Sequence, residues 1–490
     1  MNRSANLFAI LIAICCATVT APKASPIDSA LGTRVQVVDS IIEFGKTFVG
    51  KAYKSKGPTN RTMDCSGFLG EVFGKFNHVL ARSSELIAKQ VNPIGLNDVR
   101  KGDFLFFKGS DSNSPDVGHA SLVIGINAGT ISMLHSCSRG ILIEDYQASD
   151  YYLHRFLFAG RLPALEEAKI SIIGVGDMML GTNFPSASYL PPNDGKDLLT
   201  PVKDILTNAD ITFGNMEGAI MTGPGTAKRC QDSLNCYVFK SPDHYANYFQ
   251  ENGFDVVNLA NNHAGDFGPP GKQSTWRILK EVGIEYAGPL EQPYTIFKKN
   301  GITYGFCAFS PNSGTSDIND LKNAASIVKH LDSLSDIVIV SFHGGAEGAK
   351  RTHITKSDEI FLGENRGDPY HFARAVIDAG ADVVFGHGPH VTRAIDLYKG
   401  RFIAYSLGNF ATYGRFNLKG NAGLAPIIKV FLNKKGEFQS GSIVSTKQLG
   451  EGGPVLDSSE AVLHEIISLT QADVPDAPLV IDKDGEIKKK

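Results

Sequence analysis

Residues 62–68 read TMDCSGF, a thiol directly after an acidic residue at a helix start. After Cys65 the apolar residues Phe68, Leu69, Val72, Phe73 and Phe76 recur at helical spacing, which puts Cys65 in the first turn of that helix. There the sulfur faces the positive end of the helix dipole, so a lowered thiol pKa and a nucleophilic thiolate are expected. Asp64 is placed to cap the free N–H groups of the first turn, and its charge partly opposes that ionisation. A base is therefore needed, and two histidines on expected strands can supply it. In GHASLVIGI (118–126) the alternation sets His119, Ser121 and Val123 on one face and Ala120, Leu122 and Ile124 on the other. His119 is positioned to take the thiol proton. In TISMLHSC (130–137) His135 is positioned to bond the other ring nitrogen of His119 and fix its tautomer. Cys137 shares the face of His135 and reads as a small buried packing residue, with a redox or resolving role as the alternative.

Working outward, residues 35–162 read as a small α+β domain: a helical stretch before Tyr53, the helix after Cys65, then short strands around FLFF, HASLVIGI and TISMLH. The pattern breaks at RLPALEEAK, and 163–169 is expected as a linker. From 170 to 450 short apolar runs alternate with helical or loop stretches, the signature of a layered α/β fold whose strands are buried on both faces. Residues 451–490 are expected as a tail without chemistry. The first 24 residues carry one Arg and an apolar run from Leu7 to Ala17, too short to span a bilayer, and are expected as a secretory signal. Later apolar runs are shorter than a spanning helix, so the expectation is an exported protein of the periplasm or cell envelope whose membrane association is at most peripheral.

Of the cysteines beyond that signal, Cys65, Cys137, Cys230, Cys236 and Cys307, the odd number leaves at least one free thiol. Cys230 and Cys236 flank the polar loop CQDSLNC and read either as a disulfide or as two unpaired surface thiols. The net charge of −3 gives no electrostatic reason for a nucleic-acid partner, so the partner must be read from the sites.

The larger segment repeats one arrangement: a buried apolar strand ends and polar, metal-binding side chains follow at once. ISIIGVGDMML delivers Asp177, ADITFGNMEG delivers Asn215 and Glu217, and FDVVNLANNH delivers Asn261, Asn262 and His263. DIVIVSFHGG delivers His343, GADVVFGHGPH delivers His387 and His390, and RFIAYSLGNF delivers Asn409. In layered α/β folds the carboxyl ends of strands open onto one crevice, so these residues can converge. Any one cluster could be a simple turn, whereas six in one domain point to a metal centre. Carboxylate, amide and imidazole donors together suit manganese, zinc or iron.

GKAY, DCSGF, KGDFLFF, GHASLVIG and LHSCSRG, in this order over residues 45–162, resemble the NlpC-type cysteine peptidases of bacterial cell walls. The resemblance implies a papain-like fold, Cys65 as nucleophile, His119 as base, His135 as orienting residue and Tyr53 near the substrate or oxyanion. It also implies a substrate amide following a D-glutamyl γ-carboxyl in peptidoglycan stem peptides. KSKGPTN replaces the Trp-Gly-Gly that usually follows the tyrosine. From Ile170 to Phe410, GDMMLG, NMEG, NLANNHAGDFG, HGGAEG, GADVVFGHGPHV and YSLGNF resemble the CapA family of poly-γ-glutamate capsules, a variant of the α/β layered calcineurin-like metallophosphoesterase fold. That resemblance implies two divalent ions: Asp177 and His390 on the first, Glu217 bridging, and Asn262, His343 and His387 on the second, with His263 as acid or electrostatic partner. Met179 stands where the wider superfamily has a ligand histidine, and HGPH spaces its histidines one residue wider than usual.

Together these readings imply an exported bifunctional envelope hydrolase acting on peptidoglycan stem peptides or a γ-glutamyl polymer. The alternative is an envelope polymer-binding or assembly protein whose second domain is non-catalytic.

Overall fold

The computed structural model describes residues 34–60, 62–111, 113–127, 129–165, 169–229 and 237–490. The expected signal (1–24) and the Cys230–Cys236 pair lie outside the described residues. The chain divides into two compact units, the second being Ala168–Lys490.

In the first unit, strands β1 (Asn92–Ile94), β2 (Phe104–Lys108), β3 (Val117–Asn127), β4 (Thr130–Cys137), β5 (Gly140–Asp145) and β6 (Phe156–Arg161) form an antiparallel sheet in the order β1-β6-β2-β3-β4-β5. Strand alternation sorts its side chains. Phe104, Phe106, Ala120 and Leu122 pack under helices α1 (Arg34–Lys46) and α2 (Cys65–Gly74), while Leu105, Phe107, Val123 and Met133 meet Tyr146 and Tyr152 on the opposite face. Helix α2 starts where the sequence places it because Asp64 accepts the Gly67 N–H at 2.8 Å, and Arg82 grips the same carboxylate at 2.7 and 2.9 Å. Position 67 must be glycine: a Cβ there would lie 1.8 Å from the Thr62 carbonyl oxygen. Of the expected linker, Pro163–Leu165 forms a 3₁₀ turn whose Leu165 is buried in this first core, so that part belongs to the unit.

The second unit stacks two sheets. The ten-stranded one runs, across its main path, Glu285–Ala287, Val256–Asn258, Ile211–Met216, Ile170–Met179, Leu424–Leu432, Phe438–Gln448, Glu486–Lys489 and Leu479–Ile481, and Asn409–Thr412 also pairs with Ile170–Met179. The six-stranded one runs Tyr294–Lys299, Ile302–Phe309, Ile337–His343, Val383–His387, Arg401–Ala404 and Ile395–Tyr398. The sheets meet through Ile172, Phe213 and Val256 on one side and Phe306, Ile339 and Phe385 on the other, with Phe213 and Phe385 stacked at 5.6 Å between centroids. They approach closely enough that a Cβ on Gly174 would lie 2.4 Å from the Phe385 ring. Helices Gly268–Val282, Leu321–Asp332 and Pro369–Asp378 contribute buried side chains to these cores. The strands that matter for the site are parallel: Ile170–Met179 with Ile211–Met216, and Ile337–His343 with Val383–His387 in a register that pairs His343 with His387. Their carboxyl ends therefore lie at one edge of each sheet.

Residues 451–490 are not a separate tail. Helix Ala461–Asp473 buries Val462, Leu463 and Ile466 in the inter-sheet core, and Glu486–Lys489 pairs with Phe438–Gln448, inserting a fully buried Ile487. The charged end conceals this because a short edge strand needs only one inward apolar residue to dock. No helix among the described residues is long and apolar enough to cross a membrane.

Ile487→Ala should lower the stability of the second unit by about 2–5 kcal/mol. Urea unfolding followed by tryptophan fluorescence checks this, because Trp276 is the single tryptophan and lies in that unit.

Candidate functional site

In the first unit three side chains form a chain of hydrogen bonds across two strands. His119 Nε2 lies 2.9 Å from His135 Nδ1, and His135 Nε2 lies 2.9 Å from Glu144 Oε2. Glu144 is ionised: its burial is outweighed by Arg139 at 2.6 Å and by His135, which hold its pKa below the usual carboxylate range. A carboxylate only accepts, so His135 carries its proton on Nε2, its Nδ1 accepts from the His119 Nε2–H, and His119 Nδ1 is left as a lone pair. Tyr152 stacks on His119 with centroids 5.8 Å apart and Phe107 lies 5.9 Å away, so the imidazole sits between aromatic walls. The Cys65 sulfur receives the backbone N–H of Ala120, which places it against β3 at the residue after His119. Tyr53, 37% exposed, feels the charges of Cys65, Asp64 and Cys137, so it belongs to the same surface.

Two sequence expectations change here. The thiol pKa is raised, not lowered, because burial and then the Asp64 charge outweigh the N–H groups that point at the sulfur. Burial, with a smaller contribution from His135, pushes His119 down to about 3. The resting pair is thus a neutral thiol beside a neutral imidazole. Cys137 is half-buried beside Tyr53 and Tyr152 and is not an interior packing residue. Glu144 was missed. Its signal was the alternation in GILIED on the strand paired with β4, where Glu144 faces Met133, two residues from His135.

In the second unit the ends of both sheets deliver donors into one buried cluster. Oxygens of Asp177 and Glu217 and a ring nitrogen of His343 all lie within 4.8 Å of one another. His390 Nδ1 lies 2.9 Å and His387 Nδ1 3.3 Å from the Asp177 carboxylate, the latter without hydrogen-bonding alignment. Asn262 and His263 line the same cavity as Glu217 and His390, a space of about 500 Å³. His263 is oriented by Asp266, whose Oδ2 lies 2.9 Å from its Nδ1 and whose other oxygen lies 2.6 Å from Lys228 Nζ. All six expected metal residues therefore converge. Asn215, one of the strand-end polar residues singled out in the sequence, donates from Nδ2 to Asp177 at 2.7 Å and to Glu217 at 3.3 Å, and is itself held by Asn261 at 3.1 Å. Met179 is buried two residues beyond Asp177 on the same strand.

The cluster fits a cation on the chemistry of its atoms. Glu217 Oε2, Asn262 Oδ1, His343 Nε2 and both ring nitrogens of His387 are buried without a hydrogen-bond partner, a cost a protein rarely carries without a ligand. Burial and then the neighbouring Asp177 charge push the Glu217 carboxyl up to about 8, with His390 opposing the shift.

The molecule thus joins an α+β unit carrying a cysteine–histidine–carboxylate site to a two-sheet α/β unit carrying a buried carboxylate–imidazole centre. The NlpC/P60 family model matches residues 50–161, and the model described as bacterial capsule synthesis protein PGA_cap matches residues 171–413. Over the second region it is 29% identical to the capsule biosynthesis protein CapA of Bacillus anthracis across 267 residues, covering 50% of this chain and 60% of that protein. Two Bacillus subtilis proteins are also similar. The gamma-DL-glutamyl hydrolase is 30% identical over 160 residues (30% of this chain, 37% of that one), and the gamma-D-glutamyl-L-lysine dipeptidyl-peptidase is 31% identical over 121 residues (25% and 38%).

With a neutral resting pair, alkylation of Cys65 by iodoacetamide, read by mass spectrometry, should still be rising with pH above the ordinary thiol value of 9.0. A rate already level at pH 6 would instead show a preformed thiolate–imidazolium pair.

Proposed function

We propose that this chain is an exported bifunctional hydrolase of the cell envelope: a cysteine peptidase acting on γ-D-glutamyl amides of peptidoglycan peptides, joined to a metal-dependent domain of the calcineurin-like metallophosphoesterase type that handles poly-γ-glutamate or a related envelope polymer. The observation that carries the peptidase half is the Glu144–His135–His119 chain, which leaves His119 Nδ1 as a lone pair while the Cys65 sulfur receives the N–H of the next residue, Ala120. The names of two similar proteins, a gamma-DL-glutamyl hydrolase and a gamma-D-glutamyl-L-lysine dipeptidyl-peptidase, support γ-linked glutamate as the chemistry, and that of a capsule biosynthesis protein supports an envelope polymer.

In the proposed cycle, Cys65 Sγ attacks the γ-carbonyl carbon while its proton passes to His119 Nδ1. The S–C bond forms and the carbonyl electron pair moves onto oxygen, where the free N–H groups at the start of α2 and the Tyr53 hydroxyl can receive it. Collapse expels the amine, which takes the proton from His119. Water, deprotonated by the same nitrogen, then cleaves the thioester and restores the thiol. Because the pair rests neutral, the base works during attack and not before it. His135 and Glu144 hold the His119 ring and stabilise the imidazolium that forms.

In the second unit Asp177, Glu217, Asn262, His343, His387 and His390 would hold one or two ions of manganese, zinc or iron. A bound ion supplies Lewis-acid polarisation and an activated water. Asn215 orients the two carboxylates, and His263, held by Asp266, is placed at the cavity wall to give or take a proton. The non-catalytic reading of this domain draws on Met179, an apolar residue beside Asp177.

Mass spectrometry of products from defined γ-D-glutamyl peptides tests the proposal. Wild type should release the amine-side fragment, Cys65→Ala should lose at least roughly 10³ in rate, and His343→Ala and added chelator should leave this activity unchanged. Identical products from wild type and Cys65→Ala would refute the peptidase assignment.

A further inference from the structure

Asn409 opens the strand Asn409–Thr412, which pairs in parallel with Ile170–Met179 so that Asn409 stands directly opposite Asp177. Its amide is oriented by its neighbours. Nδ2 donates to the carbonyls of Ala422 at 3.0 Å and His390 at 3.2 Å, which turns Oδ1 towards the cluster. There Oδ1 lies 3.1 Å from His390 Nδ1, and Asp177 Oδ2 lies 2.9 Å from that same nitrogen. Both oxygens are acceptors, and a ring nitrogen carries at most one proton, so one hydrogen cannot serve both well.

His390 is held there at some cost. Its φ of 58° lies in the left-handed region that side chains with a Cβ avoid, worth about 1–3 kcal/mol. Such a conformation at a part-buried histidine marks a position that the surroundings hold for a purpose.

A cation resolves the conflict. Donors bound to one ion at about 2.0–2.2 Å and near right angles lie about 3 Å apart, the spacing that Asp177 Oδ2, His390 Nδ1 and Asn409 Oδ1 show around the shared nitrogen. With the ring nitrogen presenting its lone pair, all three atoms become ligands and none is left under-served. Met179 meanwhile follows Asp177 on its strand and offers only a thioether to a hard or borderline ion.

We propose that Asn409 is a metal ligand of this chain, donating through Oδ1 beside Asp177 and His390 and supplying the donor that Met179 does not. This rests on the metal-centre reading above. It makes the Asp177 side of the centre an oxygen-rich site, suited to manganese.

The test is titration of the full-length, metal-free protein with Mn²⁺ by calorimetry, with bound metal counted by mass spectrometry and folding checked by circular dichroism. Wild type should bind two ions, and Asn409→Ala should lose one or bind it at least tenfold more weakly, as Asp177→Asn and His390→Ala should. Since the Asn409 amide also bonds two carbonyls, Asn409→Asp provides a second reading. It keeps an oxygen at the same place and adds charge, so the folded variant should retain both ions and show a larger rise in melting temperature on adding Mn²⁺ than wild type. Two ions bound by Asn409→Ala with wild-type affinity, or a folded Asn409→Asp that has lost an ion, would overturn the assignment while leaving the metal centre standing. A wild type that binds no Mn²⁺ would overturn both.

Discussion

Two carboxylates with almost no contact with solvent, Asp177 and Glu217, sit at the ends of neighbouring parallel strands, and the second unit is built around that placement. Isolated charges in such surroundings cost several kcal/mol each unless they are paired. The protein meets part of the cost with Asn215, whose amide donates to both carboxylates, and part with three imidazoles. It leaves several donor atoms unsatisfied, and these define where a cation belongs. Sheet packing follows the same demand. Glycine at 174 lets the second sheet come within contact of the first, and glycine at 176, where a Cβ would lie 2.0 Å from the Gly408 carbonyl, lets the strand bearing Asn409 close alongside Asp177. The loop after His343 is fixed just as firmly. Arg393, fully buried, grips Glu359 at 2.7 and 2.8 Å, and Glu359 in turn receives the Ala346 N–H. That fixed loop carries Glu347 to within 4.0 Å of His390 Nε2.

The first unit meets the opposite problem. Its reactive groups are kept uncharged by burial, and two charged pairs near them, Glu144 with Arg139 and Asp64 with Arg82, are each internally matched. The Glu144 charge reaches His119 only through the orientation of His135, so it sets a tautomer without demanding an ion in the interior. A neutral thiol is a weak nucleophile at rest. Proton transfer must then be coupled to attack, which places the burden on how well a substrate seats the carbonyl carbon between sulfur and imidazole.

Periodicity made much of this legible. The run after Cys65 announced α2 because Phe68, Leu69, Val72 and Phe73 are all core residues of that helix, and the alternation in β3 separated His119 from Ala120 and Leu122 because one face of that sheet lies under α2. In the second unit the strand-end polar residues could be gathered before any coordinates, since parallel strands must point their carboxyl ends the same way. What could not be read was the balance of competing terms. The thiol pKa depended on how deeply Cys65 is buried, and burial is a property of packing that local sequence does not carry. Glu144 was hidden because its partner lies across a hairpin, at a distance set by register. The last forty residues read as a tail without chemistry because a single Ile487 among charges conveys docking only once the neighbouring strand is known.

A neutral resting thiol also bears on survival in the compartment proposed for this chain. Oxidation to sulfenic acid and disulfide exchange both proceed through the thiolate, so a nucleophile that ionises only when substrate completes the site is protected while idle. Cys307 is protected more simply, by complete burial with its pKa pushed far up. Cys137, like Cys65, is only part-buried. The thiol proposed for catalysis is shielded enough to stay protonated and lies against β3, the strand that carries the imidazole proposed to remove that proton when a carbonyl arrives.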